Sequence, residues 1–273
     1  MKLTRELIRR FEQHQADAVE SLLTHSLRVP GGNPEGYALY REDPIRASLS
    51  TNPRAGWATQ AIGATGQSAE AVRRVVEFFN AHGVPARLRI VPDGFTAEQG
   101  DTLTELGLRH IGFHTIMWAP LPASVDPLRS AEIREVTTLT DMDTHIDIQL
   151  GVYGVPPDVI DRLRPLRRAW LGSTGRRFYL GYVDGQPAAE ASLFWRENLA
   201  YLESAGTLPT YRRRGLQQAL IARRITDATK LGCRIIIGGA DFENNSRTNQ
   251  MACGLAVAYT TAIWRQRTGP LPA

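Results

Sequence analysis

The sequence predicts an α/β protein in which one architecture occurs twice. Segments with strand and helix periodicity alternate along all 273 residues, a length suited to two domains of about 130 residues each. Glycines recur at matching points in the two halves. Gly66 and Gly215 precede the main helix of each half, Gly83 and Gly232 end it, and 215 − 66 and 232 − 83 are both 149. These ordered repeats indicate a duplicated architecture.

The elements of the first half follow from periodicity and from helix stop signals. Val72, Val75, Val76 and Phe79 lie along one stripe of a helix that Gly83 ends. The predicted elements are helices at 4–14, 16–27, 69–81 and 97–106 and strands at 37–40, 46–50, 57–62, 87–91 and 110–118.

The second half begins after a linker that Pro120, Pro122 and Pro127 mark, so we predict domains at 1–121 and 131–273 joined by residues 122–130. Asp184-Gly185 predicts a type I′ hairpin, and Thr140 is the predicted N-cap of a helix. The predicted elements are strands at 132–136, 178–183, 187–195, 199–206, 234–237 and 257–264, helices at 140–150, 158–170 and 215–231, and a short helix at 246–254 after a loop at 238–245.

Composition narrows the class of protein. A net charge of +4 and a pI near 9.3 favour anionic partners, but basic and aromatic residues are not interleaved as in an RNA-binding surface. No apolar run reaches the roughly 20 residues that span a bilayer. Cys233 and Cys253 fit neither metal-ligand spacing nor a disulfide framework. We expect a cytoplasmic protein without nucleic-acid, membrane or metal binding, and the sequence does not fix its oligomeric state.

One segment has the features of a ligand-binding site. Arg212-Arg213-Arg214-Gly215 stands between an alternating strand and an amphipathic helix, within the segment from Thr207 to Lys230. Unpaired backbone N–H groups and the helix dipole both favour an anion at such a helix start. We therefore predict a phosphate site here.

The order of strand, arginine-rich glycine turn, long helix, apolar strand, short helix and final strand resembles the GNAT superfamily of N-acetyltransferases. Arg212-Arg213-Arg214-Gly215-Leu216-Gln217 is similar to that family's phosphate turn, 245–249 resembles its short fourth helix and 257–260 the strand that follows. The resemblance covers residues 132–265 well. The first half resembles the degenerate copy of tandem members. Two tandem GNAT-like domains are implied, each a mixed, mainly antiparallel sheet flanked by helices.

The resemblance implies an acyltransferase that moves an acyl group from acetyl-CoA or another acyl-CoA to an amine of a small molecule. It implies a backbone N–H near Leu208 for the oxyanion, Glu203 as the base and Tyr259 as the acid. The donor-binding residues that it implies are Thr207, Leu208, Arg212, Arg213, Arg214, Gly215, Leu216, Gln217, Asn245 and Asn249. The matching turn of the first half, 63–68, lacks the arginines, so we expect one donor site.

Alternatives stay open. Glu203 is equally compatible with a strand carboxylate paired to an arginine, and Tyr259 with a buried structural tyrosine. Gln217 replaces the small residue that the family places there. A donor with a single phosphodiester, the phosphopantetheine arm of an acidic acyl carrier protein, is therefore an alternative to CoA. A non-catalytic acyl-CoA-binding regulator is another.

Overall fold

A computed structural model describes residues 2–123, 131–242 and 245–267. The helices are α1 Arg5–Leu27, α2 Ala69–Ala81, α3 Ala97–Glu105, α4 Leu139–Gly151, α5 Pro157–Arg168, α6 Leu216–Lys230 and α7 Asn245–Ala252. The strands are β1 Ala38–Glu42, β2 Ile45–Leu49, β3 Gln60–Ile62, β4 Arg87–Ile90, β5 Leu108–Pro120, β6 Glu132–Glu135, β7 Arg176–Val183, β8 Gln186–Arg196, β9 Leu199–Thr207, β10 Ile235–Asp241 and β11 Ala256–Gln266. Short 3₁₀ turns lie at Pro53–Ala58, Ala169–Gly172 and Pro209–Tyr211.

Several local predictions need correction. The two predicted N-terminal helices form one, α1, because no glycine or proline interrupts the segment. Trp57 lies in a 3₁₀ turn that Asn52 caps, and only residues 60–62 are a strand. Thr138, not Thr140, caps α4, since its hydroxyl group accepts from the Asp141 N–H. The loop predicted after residue 237 is strand as far as Asp241.

The chain divides into two compact units. The described residues of the first are 2–23, 31–115 and 259–267, and those of the second are 24–30, 116–123, 131–242 and 245–258. The domain boundaries predicted at 1–121 and 131–273 remain a prediction, and residues 124–130 of the predicted linker lie outside the described residues. None of the described helices is both long and apolar enough to cross a membrane.

The first unit has a mixed sheet with the strand order β1-β2-β3-β4-β11-β5. β3 and β4 are parallel and are joined through α2, whose N-cap is Ser68. The apolar stripe predicted for α2 is buried: Val72, Val75 and Phe79 are fully enclosed against the sheet. Burial of one large aliphatic side chain contributes about 1.5–3 kcal/mol, so this stripe fixes the position of the helix.

The second unit has a mixed, mainly antiparallel sheet with the order β5-β10-β9-β8-β7-β6. β7 and β8 form the predicted hairpin, with positive φ angles at Asp184 (51°) and Gly185 (74°) as a type I′ turn requires. β9 and β10 are parallel and are joined through α6, which buries Leu216, Leu220 and Ile225. The same strand–helix–strand arrangement thus occurs in both units, as the repeated glycines predict.

Candidate active site

The two parallel strands of the second unit part in the middle. β9 and β10 are paired from Leu199 with Ile235 to Leu202 with Gly238, and no later pair joins them within the described residues. β9 continues to Thr207, so one of its edges is left without a strand partner. Unpaired backbone donors and acceptors along a strand edge can accept an extended ligand.

A β-bulge accompanies this separation. Ala191 of β8 faces Ala205 and Leu193 faces Leu202, so β9 carries one more residue than β8 at Glu203–Ser204. A bulge bends its strand and increases the local twist, which carries β9 away from β10.

Arg224 of α6 stabilises the bulge through hydrogen bonds to the backbone of β8 and β9. This side chain is fully buried and donates to the carbonyl oxygens of Ser192 (3.0 Å) and Ser204 (3.3 Å) and to that of Leu220 in its own helix. Desolvation lowers its pKa to about 10. The guanidinium group satisfies carbonyl groups that the irregular strand leaves unpaired.

The arginine-rich turn follows β9 directly and starts α6. Gly215 is the N-cap residue in the left-handed conformation (φ 78°), and no side chain caps the first turn of α6. Arg213 is also left-handed (φ 63°), a conformation that costs a non-glycine residue about 1–2 kcal/mol. Alternation of left-handed residues turns successive N–H groups toward one side, which makes a concave anion site at a helix start.

The three arginines differ in their contacts. Arg212 donates from Nε to the Thr207 carbonyl oxygen (3.3 Å), and Arg214 lies 3.7 Å from the exposed carboxylate of Asp184. Within the described residues, the side chain of Arg213 has no ion pair or hydrogen bond, although it is exposed beside the turn. Arg213 is therefore the cation that is free to meet a phosphate.

Near the parting strands, Thr207 and Gln250 each have a buried oxygen atom without a hydrogen bond within the described residues, as does the ion-paired Glu203. Thr207 Oγ1, at the end of β9, and Gln250 Oε1 of α7 are buried without a hydrogen bond within the described residues. The Gln250 amide lies against Gly238, at the last pair of β9 and β10, and its Nε2 donates to the Gly239 carbonyl oxygen (3.2 Å). Orphaned buried acceptors are costly, so both fit a ligand that supplies N–H or O–H groups.

Gln250 was not predicted, because a glutamine inside a short polar helix carries no sequence signal. The predicted Asn249 accepts from Gln218 Nε2 (3.2 Å), which ties α7 to α6. Asn245 is the first residue of α7, and Gln217 is half-buried at the second position of α6. The donor-binding roles of these residues remain predictions.

Glu203 lies at the bulge but is already engaged. Its carboxylate forms an ion pair with Arg176, whose side chain is fully buried, and it accepts from Ser192 Oγ (3.1 Å). Desolvation lowers the pKa of Arg176 to about 9. The structure thus contains the arginine pairing that sequence analysis left open, and a role for Glu203 as the base remains a prediction.

The backbone N–H of Leu208 is also engaged, because it donates to the Ala188 carbonyl oxygen (3.0 Å). An oxyanion contact from this group would require that bond to open. Residues 203–207, along the unpartnered edge of β9, are the neighbouring source of backbone donors.

Tyr259, the predicted acid, lies in the first unit. Its hydroxyl group donates to Glu12 Oε1 of α1 (2.5 Å), and Glu12 in turn lies 3.7 Å from Arg89. Burial raises the pKa of Tyr259 well above its usual value, and the Glu12 carboxylate raises it further. Such a contact is typical of a buried structural tyrosine, and the role of Tyr259 as an acid remains a prediction.

A buried polar cluster under β9 was not found from the sequence. His145 Nε2 of α4 lies 3.1 Å from Glu190 Oε2 of β8, and both side chains are buried. Ser204 Oγ donates to the same carboxylate (3.1 Å to Oε1), and Gln149 Nε2 donates to Ser204 Oγ (2.9 Å). His145 and Gln149 are neighbours on α4, but Glu190 and Ser204 lie far from them in the sequence, and the four residues share no motif.

In the first unit, the matching turn at residues 63–68 forms hydrogen bonds with side chains of the same unit. Gln99 of α3 accepts from the Gly66 N–H (3.1 Å) and donates to the Ala64 carbonyl oxygen (2.7 Å). Thr65 Oγ1 accepts from the Val91 N–H beside β4 (2.8 Å). The positions that match the predicted anion site of the second unit are thus hydrogen-bonded within the first unit.

In this unit a parallel strand pair parts beside an arginine-rich turn that starts a helix. Residues 147–254 match the model of the family described as "Acetyltransferase (GNAT) family". Among curated proteins, none matches the chain in sequence.

Solved structures extend the likeness over both units. A GCN5-related N-acetyltransferase from Kribbella flavida is 15% identical with a TM-score of 0.62, and the match covers 93% of this chain and 96% of that one. A tandem GNAT protein from the clavulanic acid biosynthesis pathway is 15% identical with a TM-score of 0.61, over 97% and 94%. A GCN5-related N-acetyltransferase from Sphaerobacter thermophilus is 12% identical with a TM-score of 0.54, over 96% and 93%. At these identities the likeness establishes the fold.

The segment 147–254 is therefore a GNAT-family domain, within a chain that has the fold of a tandem GNAT protein. Residues 147–254 are thus a GNAT-type acyltransferase domain, as the sequence predicted, and the structural likeness confirms the predicted fold.

Proposed function

We propose that this protein transfers an acyl group from acyl-CoA to an amine of a small molecule by direct attack on the thioester. One observation carries the proposal: β9 and β10 part after Leu202 and Gly238, directly before a turn with an unpaired arginine. The parted edge and the turn together offer a place for an extended amide-containing arm that ends in phosphates.

The residues fit such a donor. The free edge of β9 and the unpartnered Thr207 and Gln250 oxygens suit the amide and hydroxyl groups of a pantetheine arm. The first turn of α6 and the Arg213 guanidinium suit its phosphates. When bound, the donor supplies an activated acyl group that an amine can take up directly.

The acceptor side is the face of β9 that α4 covers. Tyr153 stands in the connection between α4 and α5, and its side chain is 77% exposed. Its pKa is raised, first by desolvation and then by the Glu190 carboxylate. An exposed aromatic side chain in such a position suits contact with a small organic amine.

The proposed donor site is tested by substitution of Arg213. Arg213→Gly removes the guanidinium group and favours the left-handed conformation, and Arg213→Ala removes the same group with the Cβ retained. A charge-assisted hydrogen bond is worth about 1.5–3 kcal/mol, so CoA should bind Arg213→Gly roughly 10–100-fold more weakly. Glu197→Gly, at another left-handed non-glycine position (φ 54°), is the matched control.

Thermal shifts with CoA, dephospho-CoA and phosphopantetheine measure binding, and thiol release from acetyl-CoA with a panel of amino acids, polyamines and aminoglycosides measures turnover. Unchanged CoA binding in Arg213→Gly would remove the proposed site. Faster turnover of an acetyl group on acyl carrier protein than of acetyl-CoA would favour the carrier-protein donor, for which Gln217 is the motivating residue. Binding without turnover on any amine would favour a regulator.

A further inference from the structure

The polar cluster of His145, Glu190 and Ser204 joins a buried carboxylate to the bulge in β9. Glu190 is 1% exposed and His145 is fully buried. Ser204 is half-buried and lies at the bulge itself, where the edge of β9 is unpartnered. Ser204 therefore connects the buried pair of His145 and Glu190 to the edge of β9 at which the two strands part.

The hydrogen bonds around Ser204 have a consistent direction. Its hydroxyl group donates to Glu190, at 3.1 Å from Oε1 and 3.2 Å from Oε2. Gln149 Nε2 donates to the hydroxyl oxygen, which has two lone pairs. One lone pair of Ser204 Oγ therefore remains for a further donor, such as the N–H of a protonated amine.

Glu190 is arranged to receive a proton. His145 Nε2 lies 3.1 Å from Glu190 Oε2, although neither ring nitrogen of His145 has a hydrogen bond within the described residues. Gly206 lies beside the carboxylate, and a methyl group built there would come within 3.0 Å of Glu190 Oε1. The absence of a side chain at Gly206 thus leaves room for Glu190 next to β9.

We propose that Ser204 and Glu190 remove the proton from the acceptor amine, with His145 as the residue that positions the Glu190 carboxylate. This inference rests on the proposed function. The protonated amine gives one proton to Ser204 Oγ while the Ser204 hydroxyl proton passes to Glu190. The free amine then forms a bond to the acyl carbon, the carbon–sulfur bond breaks, and the thiolate leaves with the electron pair. The second proton of the nitrogen passes to the thiolate, and Glu190 releases its proton to solvent.

Glu203 is the competing base, and its contacts argue against it. Its carboxylate forms an ion pair with the buried Arg176 guanidinium group, so protonation of Glu203 would break a buried ion pair. Glu190 has no arginine within ion-pair distance among the described residues: its close partners are the His145 ring and the Ser204 hydroxyl group, and the buried Arg224 guanidinium group lies farther away.

The charged and titratable groups around Glu190 come from each packed element. His145 faces it from α4, Arg224 from α6 and Tyr153 from the α4–α5 connection. Arg167 of α5 is connected to Glu190 only indirectly, because its guanidinium group donates to Gln149. The pH dependence of the reaction belongs to this group as a whole.

The experiment compares pH–rate profiles of Glu190→Gln, Ser204→Ala and Ser204→Thr, with acetyl-CoA and the most active amine of the panel. A positioned base contributes about 10²–10⁴ in rate, so Glu190→Gln should lose at least 100-fold in kcat/KM near pH 7. The loss should shrink above the pKa of the amine, where the free base predominates. Ser204→Ala should behave similarly, and Ser204→Thr, which keeps the hydroxyl group, should retain most activity.

Asp227→Asn is the matched control, because Asp227 is another buried carboxylate of this unit that contacts Tyr179 and Arg223 instead. It should keep the wild-type pH profile. CoA thermal shifts verify that each variant is folded. A wild-type profile in Glu190→Gln or in Ser204→Ala overturns this inference alone. Absence of wild-type turnover on every amine overturns the proposed function, and this inference with it.

Discussion

Gly238→Ala probes the point at which β9 and β10 part. A methyl group at this position would overlap the Gln250 amide oxygen and lie 2.9 Å from the amide carbon, about 0.5 Å inside the ordinary contact limit of 3.4 Å. Gln250 is 3% exposed, so its side chain cannot swing freely into solvent. To admit the methyl group it must move away from Gly238 and give up its bond to the Gly239 carbonyl oxygen.

The expected cost has two parts. Overpacking of a buried site costs about 1–3 kcal/mol. Loss of one intramolecular hydrogen bond adds about 0.5–1.5 kcal/mol. The free energy of unfolding should therefore fall by about 2–4 kcal/mol, which lowers the melting temperature by roughly 5–15 °C in a chain of this size.

Thermal unfolding of single and double variants is the assay. Gly238→Ala combined with Gln250→Ala should cost no more than Gln250→Ala alone, because the overpacking is relieved and the hydrogen bond is lost only once, which gives a coupling free energy of about 2–4 kcal/mol. Gly172→Ala is the control, since a methyl group there meets nothing within 4 Å. If Gly238→Ala is as stable as wild type, or if the two costs simply add, the packing of Gln250 against Gly238 is not as described.

Two further outcomes are expected. Gln99→Ala should destabilise the protein by about 1–3 kcal/mol, because the Gly66 N–H and the Ala64 carbonyl group lose their partner. Calorimetric titration of Gln99→Ala should find one CoA site per chain, as in the wild type. A second site would contradict the prediction that only the second unit binds the donor. Burial raises the pKa of both Cys233 and Cys253, so iodoacetamide at pH 8 should alkylate neither in the folded protein. Mass spectrometry within minutes of mixing tests this, and prompt modification would show that the thiols are accessible.

Local signals in the sequence were sufficient for much of the fold. The helix Ala69–Ala81 has the predicted bounds, because its apolar stripe, its Ser68 cap and its Gly83 stop all lie within one short segment. The Asp184-Gly185 hairpin likewise depends on two adjacent residues. The boundary errors arose where the signal was weak, as at Thr138, where two threonines compete to cap one helix.

The phosphate turn was also a local prediction. Gly215 begins α6 as expected, since a glycine and a helical period suffice to indicate a helix start. The sequence did not reveal that Arg213 is left-handed and unpaired while Arg212 and Arg214 have contacts. Which of three adjacent arginines is free depends on residues elsewhere, such as Asp184.

The sequence by itself thus determined the order of elements, the family and the turn that suits phosphate. Only the tertiary structure decided how β9 parts from β10 and which groups stand at the parting. Glu190 and His145 are 45 residues apart, since 190 − 145 is 45, and no periodicity links a strand carboxylate to a helix imidazole. Hydrophobic periodicity and turn chemistry act within a few residues of the chain, whereas hydrogen-bond partners across a core are chosen by packing.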